Sequence, residues 1–466
     1  MRYVSTRGQA PVLGFCDAVL AGLARDGGLY VPETWPQFTA GEIAGFANRP
    51  YADVAFEVMS RFTGEEIAPD ALRAMVDGAY GTFGHPAVAP LVQIAPGHFV
   101  LELWHGPTLA FKDVAMQFLA RAMDHILGQR GQRATIVGAT SGDTGSAAIE
   151  AFRGRENTDI FILHPQGRTS AIQRLQMTTV PDANVHNIAI KGTFDDCQAI
   201  VKALFANHGF ADSVRLSGVN SINWGRIVAQ IVYYFTAAVA LGAPHRPVSF
   251  SVPTGNFGDI FAGYCARRMG LPIERLIVAT NANDILRRAI DTGRYDRQGV
   301  TETASPSMDI EISSNFERLI FEVLGRDGVQ TAQLMASLAQ SGGFEIPAAA
   351  LAEIRAGFDA GTTNEAETAH TIDRVHRACG YLLDPHTAVG VAVAEAHLSA
   401  TTPLVTLATA HPAKFPVAVE AASGLHPALP ERLSDLESRP ERFTVLANET
   451  KVVEDFIAEH ARTREE

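Results

Sequence analysis

From about residue 91 the chain keeps returning to one rhythm, a short aliphatic and β-branched run followed by a helical stretch. The runs are TIVGA (135–139), DIFILH (159–164), VHNIAI (185–190), VSFSV (248–252), RLIVAT (275–280) and PLVTLA (403–408). Strands separated by helix-length crossovers pair in parallel, and the helices cover the faces of the sheet. The first 90 residues follow a different pattern, with helical periodicity at 14–25, 51–62 and 69–80, interrupted by GGLYVPETWP (27–36) and GHPAVAP (84–90). The expected fold class is therefore α/β, with parallel twisted sheets flanked by helices plus a mostly helical N-terminal domain. The divisions read as 1–90, 91–245 and 246–466, the sheet domains being discontinuous in sequence. A chain of 466 residues exceeds one ordinary core, so more than one domain is expected. Residues 310–400 read as largely helical around a sheet, and the last stretch, VVEDFIAEHARTREE (452–466), as polar and frayed.

Composition removes several classes of function. With 38 basic and 51 acidic side chains the net charge is −13, which repels nucleic acid and anionic membrane; neither is expected as a partner. An anionic substrate must then meet donors placed locally. Cys16, Cys197, Cys265 and Cys379 form no C-x-x-C pair, which argues against a disulfide scaffold or zinc site and fits a reducing compartment. The histidines show no metal-ligand spacing, so no metal is expected. MRYVSTRGQAP lacks an apolar signal core, and the longest apolar stretch, IVYYFTAAVALG (231–242), is shorter than the roughly 20 residues that span a bilayer. The expected location is the cytoplasm.

Three segments carry chemistry. HGPTLAFKD (105–113) places Lys112 after the apolar run FVLELW (99–104) and before an amphipathic helix. An arbitrary lysine is a solvated surface residue, but Trp104, Leu109, Ala110 and Phe111 surround this one with apolar groups, as a Schiff-base lysine requires. Asp113 reads as a first-turn acid complementing the helix dipole in preference to a catalytic group. PTGNFGD (253–259) follows one strand and opens a helix, the geometry in which backbone N–H groups converge on a phosphate. Gly255 and Gly258 permit close approach and Asn256 tolerates a left-handed conformation; the plain alternative is an ordinary βα turn. GATSGDTGS (138–146) repeats the arrangement, with Ser141 and Thr144 as donors to a carboxylate and Asp143 as a helix cap or loop-ordering residue. Together the three point to pyridoxal-phosphate chemistry on an amino acid. Two weaker clusters are NSINWGR (220–226), where Arg226 pairs with a phosphate or is merely structural, and LDPHTAVG (383–390), where His386 and Thr387 reach substrate or cap a helix.

In order and wording, HGPTLAFKD, GATSGDTGSAA, FDDCQ (194–198), NSINWGR, PTGNFGD, DPHTAVG and TAHPAKFP (409–416), with the opening YVSTRG (3–8), resemble the threonine synthase family of bacterial and fungal type. Members are fold-type II pyridoxal-phosphate enzymes. The resemblance implies that Lys112 is the Schiff-base lysine, that Gly255, Asn256, Phe257, Gly258 and Asp259 lie around the cofactor phosphate, and that the Thr409 hydroxyl partners the pyridine nitrogen. It places Ser141, Gly142, Asp143 and Thr144 in the substrate loop. Ser221, Asn223, Arg226 and His386 become candidates for the substrate phosphate. The implied reaction turns O-phospho-L-homoserine and water into L-threonine and phosphate, by a monomer or homodimer. Two alternatives remain: a related phospho-lyase that releases a 2-oxo acid, and a pyridoxal-phosphate-binding protein without turnover. The resemblance also implies two α/β domains with Lys112 at the cleft between them.

Overall fold

A computed structural model describes residues 1–462. It divides into two compact units, the first made of residues 1–77, 85–105 and 221–428 and the second of residues 78–84, 106–220 and 429 onward.

The first unit is built on a six-stranded sheet in the order Phe358–Thr362, Ile273–Thr280, Val248–Pro253, Leu404–Ala408, His98–Glu102, Leu91–Ala95. All neighbours are parallel except the last pair, which is antiparallel. Val248–Pro253 and Leu404–Ala408 are buried at every position, as expected of central strands covered on both faces. The sequence 310–400 is largely helical, with helices Phe316–Val323, Gly328–Ser341, Ala348–Gly357, Glu365–Cys379 and Pro385–Ala394, but it also contributes the edge strand Phe358–Thr362. Its sequence, FDAGT, has neither alternation nor a β-branched run to mark it. Residues 231–240 of the apolar stretch noted above lie in helix Trp224–Ala240, most of which is buried. No helix among the described residues is long and apolar enough to cross a membrane.

The second unit holds a five-stranded, wholly parallel sheet in the order Thr444–Leu446, Val185–Ile190, Thr158–Pro165, Ala134–Ala139, Leu216–Ser217. One face packs Val137, Phe161, Ile188 and Ile190 against helix Phe194–Ala206 and against Val453 and Ile457. The last two correct the expectation of a frayed tail. Residues Thr450–His460 form a helix whose Val453 and Ile457, one turn apart, are fully buried while Lys451, Asp455 and Glu459 are exposed. Residues 463–466 of that stretch lie outside the described residues.

Candidate active site

In the second unit Lys112 is the first residue of helix Lys112–Gln129 and is 9% exposed. The turn before it is tight. Leu109 takes a positive φ of 62°, and a Cβ on Gly106 would stand 2.4 Å from that of Asp113, so only glycine fits there. Asp113 folds back to accept from the Thr108 N–H and hydroxyl, both at 2.7 Å. It fastens the turn, in keeping with a structural first-turn acid.

The Lys112 Nζ lies 3.6 Å from Asp143 Oδ2 and 5.7 Å from the centroid of the Phe111 ring. Asp143 opens helix Asp143–Phe152, whose N-cap is Gly142. The Thr140 hydroxyl accepts from Gly142 N–H and Gly145 N–H, both at 2.9 Å, while Asp143 faces the lysine. Gln173 donates through Nε2 to Asp143 Oδ1 at 2.9 Å. Gly142, at φ 153°, has no room for a side chain, because a Cβ would fall 2.3 Å from the Gln173 amide. Ser141 is exposed and Thr144 half-buried, both on the same turn.

In the first unit PTGNFGD leaves the C-terminal end of strand Val248–Pro253 and enters helix Gly258–Arg268. The left-handed residue is Phe257, at φ 61°, and not Asn256. An aromatic residue in that conformation is strained, and burial of its ring against Phe316 and Phe358, with centroids 5.3 and 5.9 Å away, holds it there. No side chain caps the helix, so the first-turn N–H groups remain for an anion. Gly255 sits where a Cβ would meet the Ser307 carbonyl oxygen at 2.7 Å. Asp259 turns away from that end: its Oδ1 accepts from the Tyr233 and Tyr234 hydroxyls. Burial, only partly offset by those bonds, raises its pKa to about 7.

The loop is held by residues that sequence reasoning passed over. Ser313 Oγ donates to the Gly255 carbonyl at 2.6 Å, and Asn315 donates to the Asn256 carbonyl from its backbone at 3.1 Å and from its amide at 2.9 Å. The Asn315 amide also reaches the Ser221 carbonyl at 3.3 Å, and the Ser221 and Ser314 hydroxyls lie 3.2 Å apart. Arg318, fully buried, bonds Asn315 Oδ1, the Ile222 carbonyl and the Tyr30 carbonyl and lies over the Trp224 ring. The signal was the compact polar triplet SSN directly before the helix Phe316–Val323.

Arg226, in the first turn of helix Trp224–Ala240, is 4% exposed, and its Nε has no hydrogen-bond partner among the described residues. Burial pulls its pKa down to about 10. Asn223 caps that helix, its Oδ1 accepting from Gly225 N–H at 2.9 Å while its amide donates to the Val19 carbonyl at 2.8 Å. His386 is likewise engaged at both nitrogens. The Ser307 N–H donates to Nε2 at 3.2 Å, so the ring proton sits on Nδ1 and is donated to Asp384 Oδ1 at 2.9 Å. His386 thus props the segment that presses on Gly255. Thr409 is buried immediately past strand Leu404–Ala408. Thr406 pairs with Ser251, so this strand and Val248–Pro253 end level, and Thr409 and Gly255 leave the same sheet edge.

Comparison with known proteins identifies the family. A family model described as "Pyridoxal-phosphate dependent enzyme" matches residues 86–409, one described as "Threonine synthase N terminus" matches 2–80, and one described as "Threonine synthase, C-terminal" matches 387–457. The chain belongs to the threonine synthase family. It is 56% identical to threonine synthase of Pseudomonas aeruginosa over 99% of this chain and 98% of the relative. The solved structure of pyridoxal-phosphate-bound threonine synthase from Brucella melitensis superposes with a TM-score of 0.98 at 62% identity, covering 99% of this chain and 100% of that one. The yeast enzyme superposes with a TM-score of 0.94 at 40% identity, covering 98% of both. The fold is that of fold-type II pyridoxal-phosphate enzymes.

Proposed function

We infer that this protein is a threonine synthase: with pyridoxal 5'-phosphate as cofactor it converts O-phospho-L-homoserine and water into L-threonine and phosphate. The observation that carries the reading at residue level is the sheltered Lys112, one of five lysines in the chain, set at a helix start beside a buried acid.

The residues fit the cofactor. The uncapped start of helix Gly258–Arg268, approached through Gly255, suits its phosphate, and the Thr409 hydroxyl at the same sheet edge suits its ring nitrogen. In this assignment Gly255, Asn256, Phe257 and Gly258 hold the phosphate through the backbone, while Asp259 braces the helix start from behind. A neutral hydroxyl at the ring nitrogen does not enforce its protonation, which tempers the electron sink that the bound cofactor supplies.

Lys112 anchors the cofactor and, once the substrate amine replaces it, becomes the base that takes the Cα proton. A Cβ proton must leave before phosphate departs from Cγ, and Cγ must then gain a proton before water adds at Cβ. A single amine over the substrate serves more than one of these transfers. The 141–144 turn takes the substrate carboxylate through backbone N–H groups and the Ser141 and Thr144 hydroxyls. Arg226, a buried guanidinium with no ion pair to a carboxylate among the described residues, is the assigned group for the substrate phosphate, with Ser221 as a second candidate. Asn223 and His386 are dropped from that role, having their polar atoms committed elsewhere.

Purified protein given O-phospho-L-homoserine is expected to release phosphate and L-threonine in equal amounts. Phosphate with a 2-oxo acid in place of threonine would make it a phospho-lyase, and no phosphate would leave only cofactor binding. A cytoplasmic location accords with four cysteines that are all thiols.

A further inference from the structure

A carboxylate is an unexpected occupant of a turn that receives a substrate carboxylate, since like charges repel. Asp143 is nonetheless buried in that turn, 5% exposed, and its direction explains its presence. Oδ2 lies 3.6 Å from the Lys112 Nζ and Oδ1 accepts from the Gln173 amide at 2.9 Å. The second carboxylate near the lysine, Asp113, is occupied by both donors of Thr108 and lies within electrostatic reach of Arg432. Gly142 makes the arrangement possible, because any side chain there would displace the Gln173 amide.

We propose that Asp143 is the counter-ion of the protonated Lys112 during turnover, and that Gln173 is a positioning residue that holds it in place and ionised. The proposal rests on Lys112 being the base of the reaction inferred above. When the Lys112 amine takes the Cα proton, the electron pair of the C–H bond stays on the substrate and the proton converts Nζ to an ammonium. That cation forms in a buried setting, where an unpaired charge is costly. Asp143 neutralises it without taking the proton, so the nitrogen keeps that proton until a later carbon accepts it. A reaction that removes protons at two carbons and returns one at a third needs such retention. Asp143 thereby lets one amine act first as base and then as acid, and its pull on the substrate carboxylate is cancelled by the lysine charge that it faces.

The test separates this role from cofactor attachment. In cofactor-free protein, the rate of Lys112 acetylation by acetic anhydride against pH, read by peptide mass spectrometry with exposed Lys202 as internal standard, reports when the amine loses its proton. Asp143→Asn is expected to move that profile to lower pH by about one unit or more, as loss of an opposite charge within 4–6 Å does. Gln173→Met is expected to move it the same way by less, and serves if the first variant does not fold. In cofactor-loaded Asp143→Asn, borohydride should still fix the cofactor to Lys112, while kcat falls about a hundredfold or more with KM little changed. Asp143→Glu should restore part of the shift. A profile that overlays the wild type in both variants overturns the proposal. Borohydride label on another lysine in the wild type overturns instead the assignment of Lys112.

Discussion

Single side chains divide here into those whose atoms are all committed and those held toward something else. Lys112 and Lys414 are both buried, so burial alone does not select between them, and the selection rests on the place of Lys112 in HGPTLAFKD at the start of helix Lys112–Gln129. Lys112→Ala is expected to abolish covalent cofactor attachment and turnover while leaving the circular dichroism unchanged, because a buried amine costs stability when it is made to carry charge. Label on Lys414 after borohydride reduction would refute the choice. Arg226 is buried, not superficial, so its truncation should remove about 2–5 kcal/mol of phosphate recognition. Arg226→Ala should raise the apparent KM for O-phospho-L-homoserine well over tenfold with normal cofactor absorbance, and an unchanged KM would return Arg226 to a structural role. Burial holds the folded pKa of Asp259 at about 7, above the ordinary carboxylate range of about 4. An acid raised in this way favours the folded state fully below pH 4, and that contribution is lost as pH rises toward and through 7. Asp259→Asn should therefore flatten the decline of Tm between about pH 4 and 7 and raise Tm at pH 8.

Elements are decided by what their ends touch. The start of helix Gly258–Arg268 is shaped from outside, by Asn315 on the Asn256 carbonyl and Ser313 on the Gly255 carbonyl. Removing the Asn315 amide strands buried carbonyls at about 1–3 kcal/mol. Asn315→Ala is thus expected to weaken pyridoxal-phosphate binding at least about fivefold, read by titrating cofactor into the apoprotein and following its visible absorbance. Equal affinity would show that the loop holds its own shape. The C-terminal helix Thr450–His460 was misjudged because its overall polarity hid two apolar positions four residues apart. Ile457→Ala should cost about 2–5 kcal/mol and lower Tm, as for a core residue and unlike a frayed tail.

At the scale of the whole molecule, the alternation of aliphatic runs and helical stretches was enough to read parallel sheets, because both faces of such strands must be apolar and the crossovers must be long. The runs at 135–139, 159–164, 185–190, 248–252, 275–280 and 403–408 all became strands. Edge strands escaped: Phe358–Thr362 and Thr444–Leu446 pair with one neighbour each and need less of the pattern that marks burial. Lys112, the 253–259 loop and the 141–144 turn could be singled out as candidates for a local reason, since the glycine and donor spacing that marks them lies within nine residues or so of sequence. What a side chain faces is not local. Asp143 toward Lys112, Asp259 toward Tyr233 and Tyr234, and His386 toward Ser307 are contacts across 31, 26, 25 and 79 residues, and no short window encodes them. The sequence by itself determined the family and the cofactor, and it marked the candidate segments 105–113, 138–146 and 253–259. Only the tertiary structure decided which polar groups are committed to the fold, because that depends on burial and on partners brought close by folding.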